Sequence, residues 1–447
     1  MDAGIKGKKV AVIGLGVSNM PVIRYVIGQE PLALTIFDTR ENPPLAGSLP
    51  EGLELVLGPL DAEELKQFDL IVISPGLSIF NPEIEAAAKS GVEVVGDIEL
   101  FARVANAPVV GITGSNGKST VTALTGFMAK KAGIRVAIGA NFGNPVFEIL
   151  NPDVELYVLE LSSFELETTR SLHLKAATIL NVSEDHLDRY HGDIEEYAAY
   201  KRRIYEKCDF AVVNRDDRRT YPQHTGIRQT GFGLDNRDYG RVKEDGQTYL
   251  TVRGEKVINT SEMKICGTHN ELNALACMAL CDELGIAREV QLASLREFAG
   301  LEHRCQLVRT IDNVSFYNDS KATNVASAQA AIEGLCDRHP EGIILLGGGL
   351  GKGQDFSPLK KYIGREVSEI FAFGKDAEKL LSLDRERCHR VINMREALNQ
   401  ACQTAKSGQA ILLSPACASF DQFKGFEERG CIFVSLVRNL PDQLKKD

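Results

Sequence analysis

Residues 109–120 read VVGITGSNGKST. An apolar, β-rich run enters a glycine turn, and Lys118, Ser119 and Thr120 then open a segment of amphipathic helical spacing that extends to about residue 132. A strand that passes through such a turn into a helix gathers backbone N–H groups and the positive end of the helix dipole in one place, which suits bound phosphate. Glycine is required because a Cβ would block close approach. Lys118 offers a point charge to β- and γ-phosphates, and Ser119 offers a hydroxyl to Mg²⁺. The strict pattern GxxxxGK[ST] is not met, since Ile112 stands in the first glycine slot and Gly111 lies one residue early. The compact form TGSNGKST is therefore read from its context of strand before and helix after.

Outward from this turn, short β-rich runs alternate with helical segments. KKVAVIG, ALTIFD, FDLIVIS and GVEVVG precede it; RVAIG, ELYVLELS, AATILN and DFAVVN follow. Between about 220 and 265 the pattern shifts to short polar strands, QTYLTVRG and EKVINT, before a helix at 270–284. From residue 303, VSFYN, GIILLG, EIFAFG, HRVIN, AILLS and GCIFVS read as strands of a further sheet. The expectation is an α/β protein of three domains. These are a Rossmann-like N-terminal domain (1–97), a central P-loop ATPase-type domain with a parallel sheet and a small β extension (98–301), and a Rossmann-like C-terminal domain (302–447). Such units place ligands at the carboxyl ends of strands and in clefts between domains.

Composition narrows the class. The 447 residues are 44% hydrophobic and 25% charged with a formal net charge of −10. That is an ordinary globular composition, and the lack of a long basic run argues against nucleic acid or an anionic membrane as partner. The ten cysteines, Cys208 to Cys431, contain no CxxC pair. They read as thiols of a reducing compartment, with Cys277 and Cys281 on a core helix face. No apolar run reaches the ~18 residues of a membrane span, so the expectation is a cytoplasmic protein.

Several residues stand out weakly when taken alone. Glu160 ends the apolar run LYVLE, where a carboxylate could hold Mg²⁺, although strand-end glutamates are common. His186 and His191 follow a buried strand, where loop histidines are usually structural. Lys201 reads as a solvated helical lysine. Asn214-Arg215-Asp216-Asp217 approaches a guanine-reading NKxD but lacks its lysine. The opening VAVIGLGVSN, with Asp38 after the second strand, suggests a dinucleotide fingerprint whose third glycine is replaced by Asn19, so a nicotinamide-dependent oxidoreductase is an alternative.

The ordered set GITGSNGKST, LELSSFELE, NVSEDHLDRY, GTHNELNALA, GLEHRCQ, YNDSKATN and LSPACASFDQF spans almost the whole chain. It resembles the Mur ligases of bacterial peptidoglycan synthesis, whose variant phosphate loop is shared with folylpolyglutamate synthases. NDSKATN and SPACASFDQF narrow the resemblance to the D-glutamate-adding branch.

The resemblance implies ATP-dependent formation of an amide through an acyl phosphate, with D-glutamate added to UDP-N-acetylmuramoyl-L-alanine and ADP and phosphate released. Gly114, Ser115, Asn116, Gly117, Lys118, Ser119 and Thr120 would hold ATP phosphates. Asn270 and Asn273 would meet adenine, and Arg304 and Asp319 would embrace ATP from the third domain. Ser119, Glu160, His186 and a carbamylated Lys201 would hold two Mg²⁺ ions, and Lys321 would stand near the reacting phosphate. Gly16, Val17, Ser18, Asp38, Thr39 and Asn141 would meet the UDP substrate. Thr323, Lys352, Ser419 and the Phe426 backbone would meet D-glutamate. The implied partners are small molecules only, with no nucleic acid and no membrane span, and the implied state is a monomer. A non-catalytic nucleotide-sugar-binding protein is the further alternative.

Overall fold

The computed structural model describes residues 3–444. The chain forms two compact units, Met1–Thr260 with Leu272–Arg296, and Ser261–Glu271 with Glu297–Asp447.

The first unit holds two sheets. In the N-terminal sheet β1 (Lys9–Ile13), β2 (Ala33–Asp38), β3 (Glu54–Leu57), β4 (Leu70–Ile73) and β5 (Glu93–Val95) run parallel in the order β3-β2-β1-β4-β5. The inner strands β1 and β4 are continuous buried runs because helices cover both faces of a parallel sheet. Chain order reverses between β1 and β4, so the turn after β1 opens at a switch point of the kind where ligands bind.

The second sheet has nine strands. They are β6 (Val109–Thr113), β7 (Val136–Ala140), β8 (Leu156–Glu160), β9 (Ala176–Ile179), β10 (Phe210–Asn214), β11 (Arg228–Phe232), β12 (Tyr239–Glu244), β13 (Gln247–Val252) and β14 (Glu255–Asn259). Their order is β14-β13-β12-β11-β10-β9-β6-β8-β7, parallel from β7 to β12 and antiparallel beyond. The expected polar β extension is thus an antiparallel margin of the same sheet. Strand β6 lies between β8 and β9, with Ile112 in register with Glu160 and Thr113 with Ile179. This register brings the end of β8 beside the glycine turn.

A buried ion pair ties the two sheets together. Arg189 donates to both carboxylate oxygens of Glu167, at 2.9 and 2.6 Å, and also to the carbonyls of Pro75 (3.0 Å) and Leu77 (2.8 Å) just beyond β4. The Glu167 side chain is wholly buried. Glu99 adds a second tie by accepting the backbone N–H groups of Arg170 and Ser171 at 2.7 and 2.8 Å.

The second unit is built on β15 (Gln306–Ile311), β16 (Val314–Asn318), β17 (Ile343–Gly348), β18 (Val367–Phe373), β19 (Cys388–Arg390) and β20 (Ala410–Leu413). Their order is β15-β16-β20-β17-β18-β19, parallel except for the antiparallel edge strand β15.

One sequence expectation is corrected here. GCIFVS is not a strand, because it lies inside the helix Phe426–Arg438. Its β-branched run favours a strand locally, but Arg429, Gly430, Phe433 and Val437 are the buried positions, and that spacing is one face of a helix packed on the sheet. Strands β3, β11, β12 and β15 are additional to those read from the sequence. β3 and β15 are edges whose mixed burial and charged residues hide the alternation. Cys277 and Cys281 lie in the core as expected, each 3.5 Å from the Met128 sulfur. No cysteine among the described residues is disulfide-bonded. Among the same residues no helix is long and apolar enough to cross a membrane.

Candidate active site

The glycine turn has the geometry its sequence suggests. Gly117 adopts a φ of +86° immediately before the helix Lys118–Lys131, and a Cβ there would stand 2.4 Å from Asn273 Oδ1. Only glycine fits, because the left-handed conformation and the neighbouring amide each exclude a side chain. Asn181, after β9, fixes the outer edge of the turn. It accepts the Asn116 N–H at 2.9 Å and donates to the Asn116 carbonyl at 3.0 Å. The Ser115 hydroxyl donates to the Ser183 carbonyl at 2.9 Å and lies 3.3 Å from the Tyr197 hydroxyl. Ser119 and Thr120 are buried in the first helical turn.

Two lysines converge on this turn. Lys118 Nζ donates to the carbonyls of Gly114 (2.8 Å) and Ser115 (3.0 Å). Lys201 Nζ reaches the Gly114 carbonyl at 3.0 Å and Thr113 Oγ1 at 3.5 Å, and lies 4.5 Å from the centre of the Tyr197 ring. Lys201 is only 1% exposed. Burial, and then the nearby Lys118 cation, push its ammonium well below the usual lysine range, while Asp185, Glu160 and Glu165 oppose the shift. The expectation of a solvated lysine is therefore overturned, because the helix Ile194–Arg202 turns this position inward.

Glu160 is 2% exposed at the end of β8. Its Oε1 accepts from Asn141 Nδ2 at 2.5 Å, whereas its Oε2 is buried without a hydrogen-bond partner. An unsatisfied buried carboxylate oxygen at a strand end beside a phosphate-type turn fits a hard cation such as Mg²⁺. His186 is half-exposed with a φ of +52°, stands edge-on to the Phe164 ring at 5.0 Å, and has Asp185 3.6 Å away. Among the described residues, no three His, Cys, Asp or Glu side chains are gathered as a metal set.

At the N-terminal turn, Asn19 does the work of the missing glycine through its side chain, which donates to the carbonyls of Ile13 (3.1 Å) and Gly14 (2.9 Å). Asp38 is buried and committed to the turn itself. It accepts the Leu15 N–H at 2.7 Å and the Arg40 guanidinium at 2.7 and 2.8 Å. Chiefly through Arg40, these partners lower its carboxyl to about 2. Gly16, Val17 and Ser18 form the bend into the next helix, and Thr39 is exposed beside them. His191 pairs with Glu196 at 3.0 Å. Asn214 and Asp217 hold backbone groups of Leu180 and Val182 rather than presenting a base-reading edge.

In the second unit, three loops at the strand ends are bound to one another. Leu350 and Ala418 exchange backbone hydrogen bonds at 2.8 and 3.0 Å, which places the loops carrying Lys352 and Ser419 side by side. Gln354 donates to the Ala416 carbonyl at 2.7 Å and accepts from Val325 N at 2.9 Å, joining the loop that carries Thr323. Arg429, wholly buried, donates to Ser320 Oγ (2.9 Å), the Ser320 carbonyl (2.8 Å) and the Cys417 carbonyl (3.1 Å). Lys321 Nζ lies 3.7 Å from the centre of the Phe426 ring. Asp319 accepts from Ser414 Oγ at 2.7 Å and from Cys305 N at 3.1 Å, and burial raises its carboxyl to about 7. Asn270 donates to the Cys266 carbonyl at 2.8 Å. Sequence reasoning missed Tyr197, Asn181 and Arg429.

Three α/β sheets in series, with a phosphate turn and two convergent lysines at the end of the middle one, define a multidomain nucleotide-binding class. Family models agree in detail. The MurD-like N-terminal domain of Mur ligases matches residues 8–96, the Mur ligase middle domain 112–281, and the Mur ligase glutamate ligase domain 303–417. The UDP-N-acetylmuramoylalanine--D-glutamate ligases of Escherichia coli (strain K12) and Salmonella typhimurium (strain LT2) are each 47% identical over 440 residues, covering 98% of this chain and all of the relative. The chain belongs to the Mur ligase family. Among solved structures, the UDP-N-acetylmuramate-alanine ligase MurC from Thermotoga maritima aligns with a TM-score of 0.61 at 18% identity, covering 96% of this chain and 99% of that one. The MurF ligase from the same organism in complex with ADP aligns with a TM-score of 0.61 at 16% identity, covering 98% and 97%. These last two show a shared fold.

Proposed function

We propose that the chain joins D-glutamate to UDP-N-acetylmuramoyl-L-alanine in peptidoglycan precursor synthesis, with ATP activating the L-alanyl carboxylate as an acyl phosphate. A carboxylate resists attack by an amine because further negative charge would build on it; an acyl phosphate offers a good leaving group and an open carbonyl. The observation that carries this reading is the convergence of Lys118 and Lys201 on the Gly114 carbonyl, beside a Glu160 oxygen without a partner. The Lys118 cation on a phosphate-type turn favours an anion there.

In this reading Gly114–Thr120 hold the ATP phosphates, Lys118 meets the β- and γ-phosphates, and Asn270, Asn273, Arg304 and Asp319 bind the rest of the nucleotide. Ser119, Glu160 and His186 would hold Mg²⁺, and Lys201 would join them as a carbamate, formed when its neutral amine adds carbon dioxide and releases a proton. The two ions would neutralise phosphate charge and polarise the transferred group. Lys321 steadies the reacting phosphate. Thr323, Lys352, Ser419 and the Phe426 backbone receive the carboxylates of D-glutamate. Gly16, Val17, Ser18, Asp38, Thr39 and Asn141 receive the UDP substrate. Because the Asp38 carboxylate is engaged by Leu15 and Arg40, its part is to shape the turn as well as to face the uracil. The working divisions are residues 1–97, 98–301 and 302–447, and the protein acts as a monomer in the cytoplasm.

The test is an assay with UDP-N-acetylmuramoyl-L-alanine, ATP, Mg²⁺ and a panel of amino acids, reading both ADP and adduct mass. Only D-glutamate should give an adduct, and hydroxylamine should trap the acyl group as a hydroxamate. Adducts with another amino acid, or turnover without ADP, would refute the reading.

A further inference from the structure

Of the ten cysteines only Cys431 is exposed, and its sulfur lies 3.9 Å from Nε2 of His303. Buried hydrogen bonds settle which ring nitrogen of His303 carries the proton. Ser320 N donates to Asn318 Oδ1 at 3.2 Å, which orients the Asn318 amide so that its Nδ2 donates to His303 Nδ1 at 2.9 Å. Nδ1 is therefore the acceptor, and the neutral ring carries its hydrogen on Nε2, toward the sulfur. Burial, opposed by Glu302 and Glu427, lowers the imidazole below its usual value and favours this neutral form. A Cβ on Gly430 would stand 2.2 Å from Nδ1, so the glycine beside Cys431 leaves room for the ring. His303 is 7% exposed, and among the described residues its Nε2 has no hydrogen-bond partner besides the Cys431 sulfur.

Sulfur and imidazole open on a cavity of about 460 Å³ that Glu302, Gln306, Ser435 and Arg438 also line. Its size lies within the ~300–1,000 Å³ of small-molecule sites. Cys431, Ser435 and Arg438 share one face of the helix Phe426–Arg438. Arg438 thus stands about 10 Å along the helix axis from Cys431, while Glu302 precedes His303 in the chain. A ligand held at the sulfur meets a carboxylate on one side and a guanidinium further along.

We propose that Cys431 is a site of reversible mixed-disulfide formation with a small zwitterionic disulfide of the peptidyl-thiol class, whose ammonium faces Glu302 and whose carboxylate faces Arg438. The thiolate is the attacking form, and the Nε2–H of His303 offers it a hydrogen bond. The Cys431 sulfur attacks one sulfur of the incoming disulfide; a new S–S bond forms and the old one breaks. The departing thiolate takes up from solvent the proton that Cys431 gave to it. One disulfide replaces another, so no further oxidant is needed. Neither ATP nor a metal takes part, and the proposal stands apart from the ligase reading.

The test treats the full-length protein with glutathione disulfide, with cystamine, which has ammonium groups only, and with dithiodiglycolate, which has carboxylates only. Intact mass and peptide mapping follow each adduct, and every rate is divided by that of the same reagent with N-acetylcysteine. Glutathione should attach to Cys431 before any other cysteine and leave on addition of dithiothreitol. Its corrected rate should exceed those of the other two reagents by about tenfold, the scale of local charge complementarity. Arg438→Met and Glu302→Gln, both at exposed positions, should each remove most of that advantage. His303→Phe should slow all three reagents at Cys431 by about threefold or more, since the thiolate loses its donor. Equal labelling of Cys431 and the half-buried Cys208 or Cys336, or equal corrected rates for the three reagents, would overturn the proposal. So would an unchanged advantage in Arg438→Met, which decides the matter even if the His303 variant fails to fold.

Discussion

Lys118 and Lys201, from different helices, donate to the same backbone oxygen of Gly114, at 2.8 and 3.0 Å. Burial of Lys201, and then repulsion from the Lys118 cation, weaken the hold of the Lys201 amine on its proton. The pair thus divides into a cation for phosphate and an amine available for chemistry.

Lys118→Ala should lower kcat at least ~100-fold, the scale of removing a preorganised charge from a developing transition state. Steady-state kinetics with a thermal unfolding control will check this. Near-normal turnover in a folded variant would refute the role.

Lys201→Ala should be inactive and partly rescued by short-chain carboxylic acids, which can occupy the space of a carbamate. Titration of the variant with acetate or formate is the measurement. Rescue by amines instead would contradict the carbamate.

Gly117→Ala should raise the KM for ATP by about tenfold, equivalent to about 1.4 kcal/mol, because its Cβ meets Asn273 Oδ1 in a left-handed backbone. Thermal stability should change much less than nucleotide binding. Unaltered ATP affinity would show that the turn does not hold the nucleotide.

Arg189→Met should destabilise the first unit by about 3–5 kcal/mol, the cost of leaving a buried partner charge uncompensated. Glu167 is that charge, with no side-chain exposure. Denaturant unfolding of Arg189→Met beside Arg189→Met/Glu167→Gln should show the second change restoring part of the loss.

Asp38 supplies the pH-dependent case. Its carboxyl falls from 3.8 to about 2 on folding. The depressed value means that its stabilisation is complete above the unfolded value and is lost as pH falls through the folded one. Denaturation midpoints of the wild type and Asp38→Asn should therefore differ at neutral pH and converge toward about pH 2. A constant difference would deny the linkage.

Much of the fold was legible because parallel strands buried on both faces are continuous apolar runs, as in KVAVI and LYVLE. Edge strands such as β3 carry no such signal, and the run in GCIFVS misled because the burial of Arg429 and Phe433 shows a helical period. The phosphate turn was readable from its glycines. Lys201 was not, since its meaning lies in burial that helical sequence does not display, and only the family resemblance singled it out. Arg429 sits among the charged residues of FEERG and looks solvated. Its four hydrogen bonds to Ser320 and Cys417 arise from tertiary packing alone.

The central claim is phosphorylation of an organic acid on the Gly114–Lys118 turn. It is tested most directly by following ¹⁸O from the L-alanyl carboxylate of the nucleotide-sugar substrate during coupling to D-glutamate. The account predicts that one labelled oxygen per turnover appears in the released inorganic phosphate. Phosphate free of label, while the amide product accumulates, would contradict it.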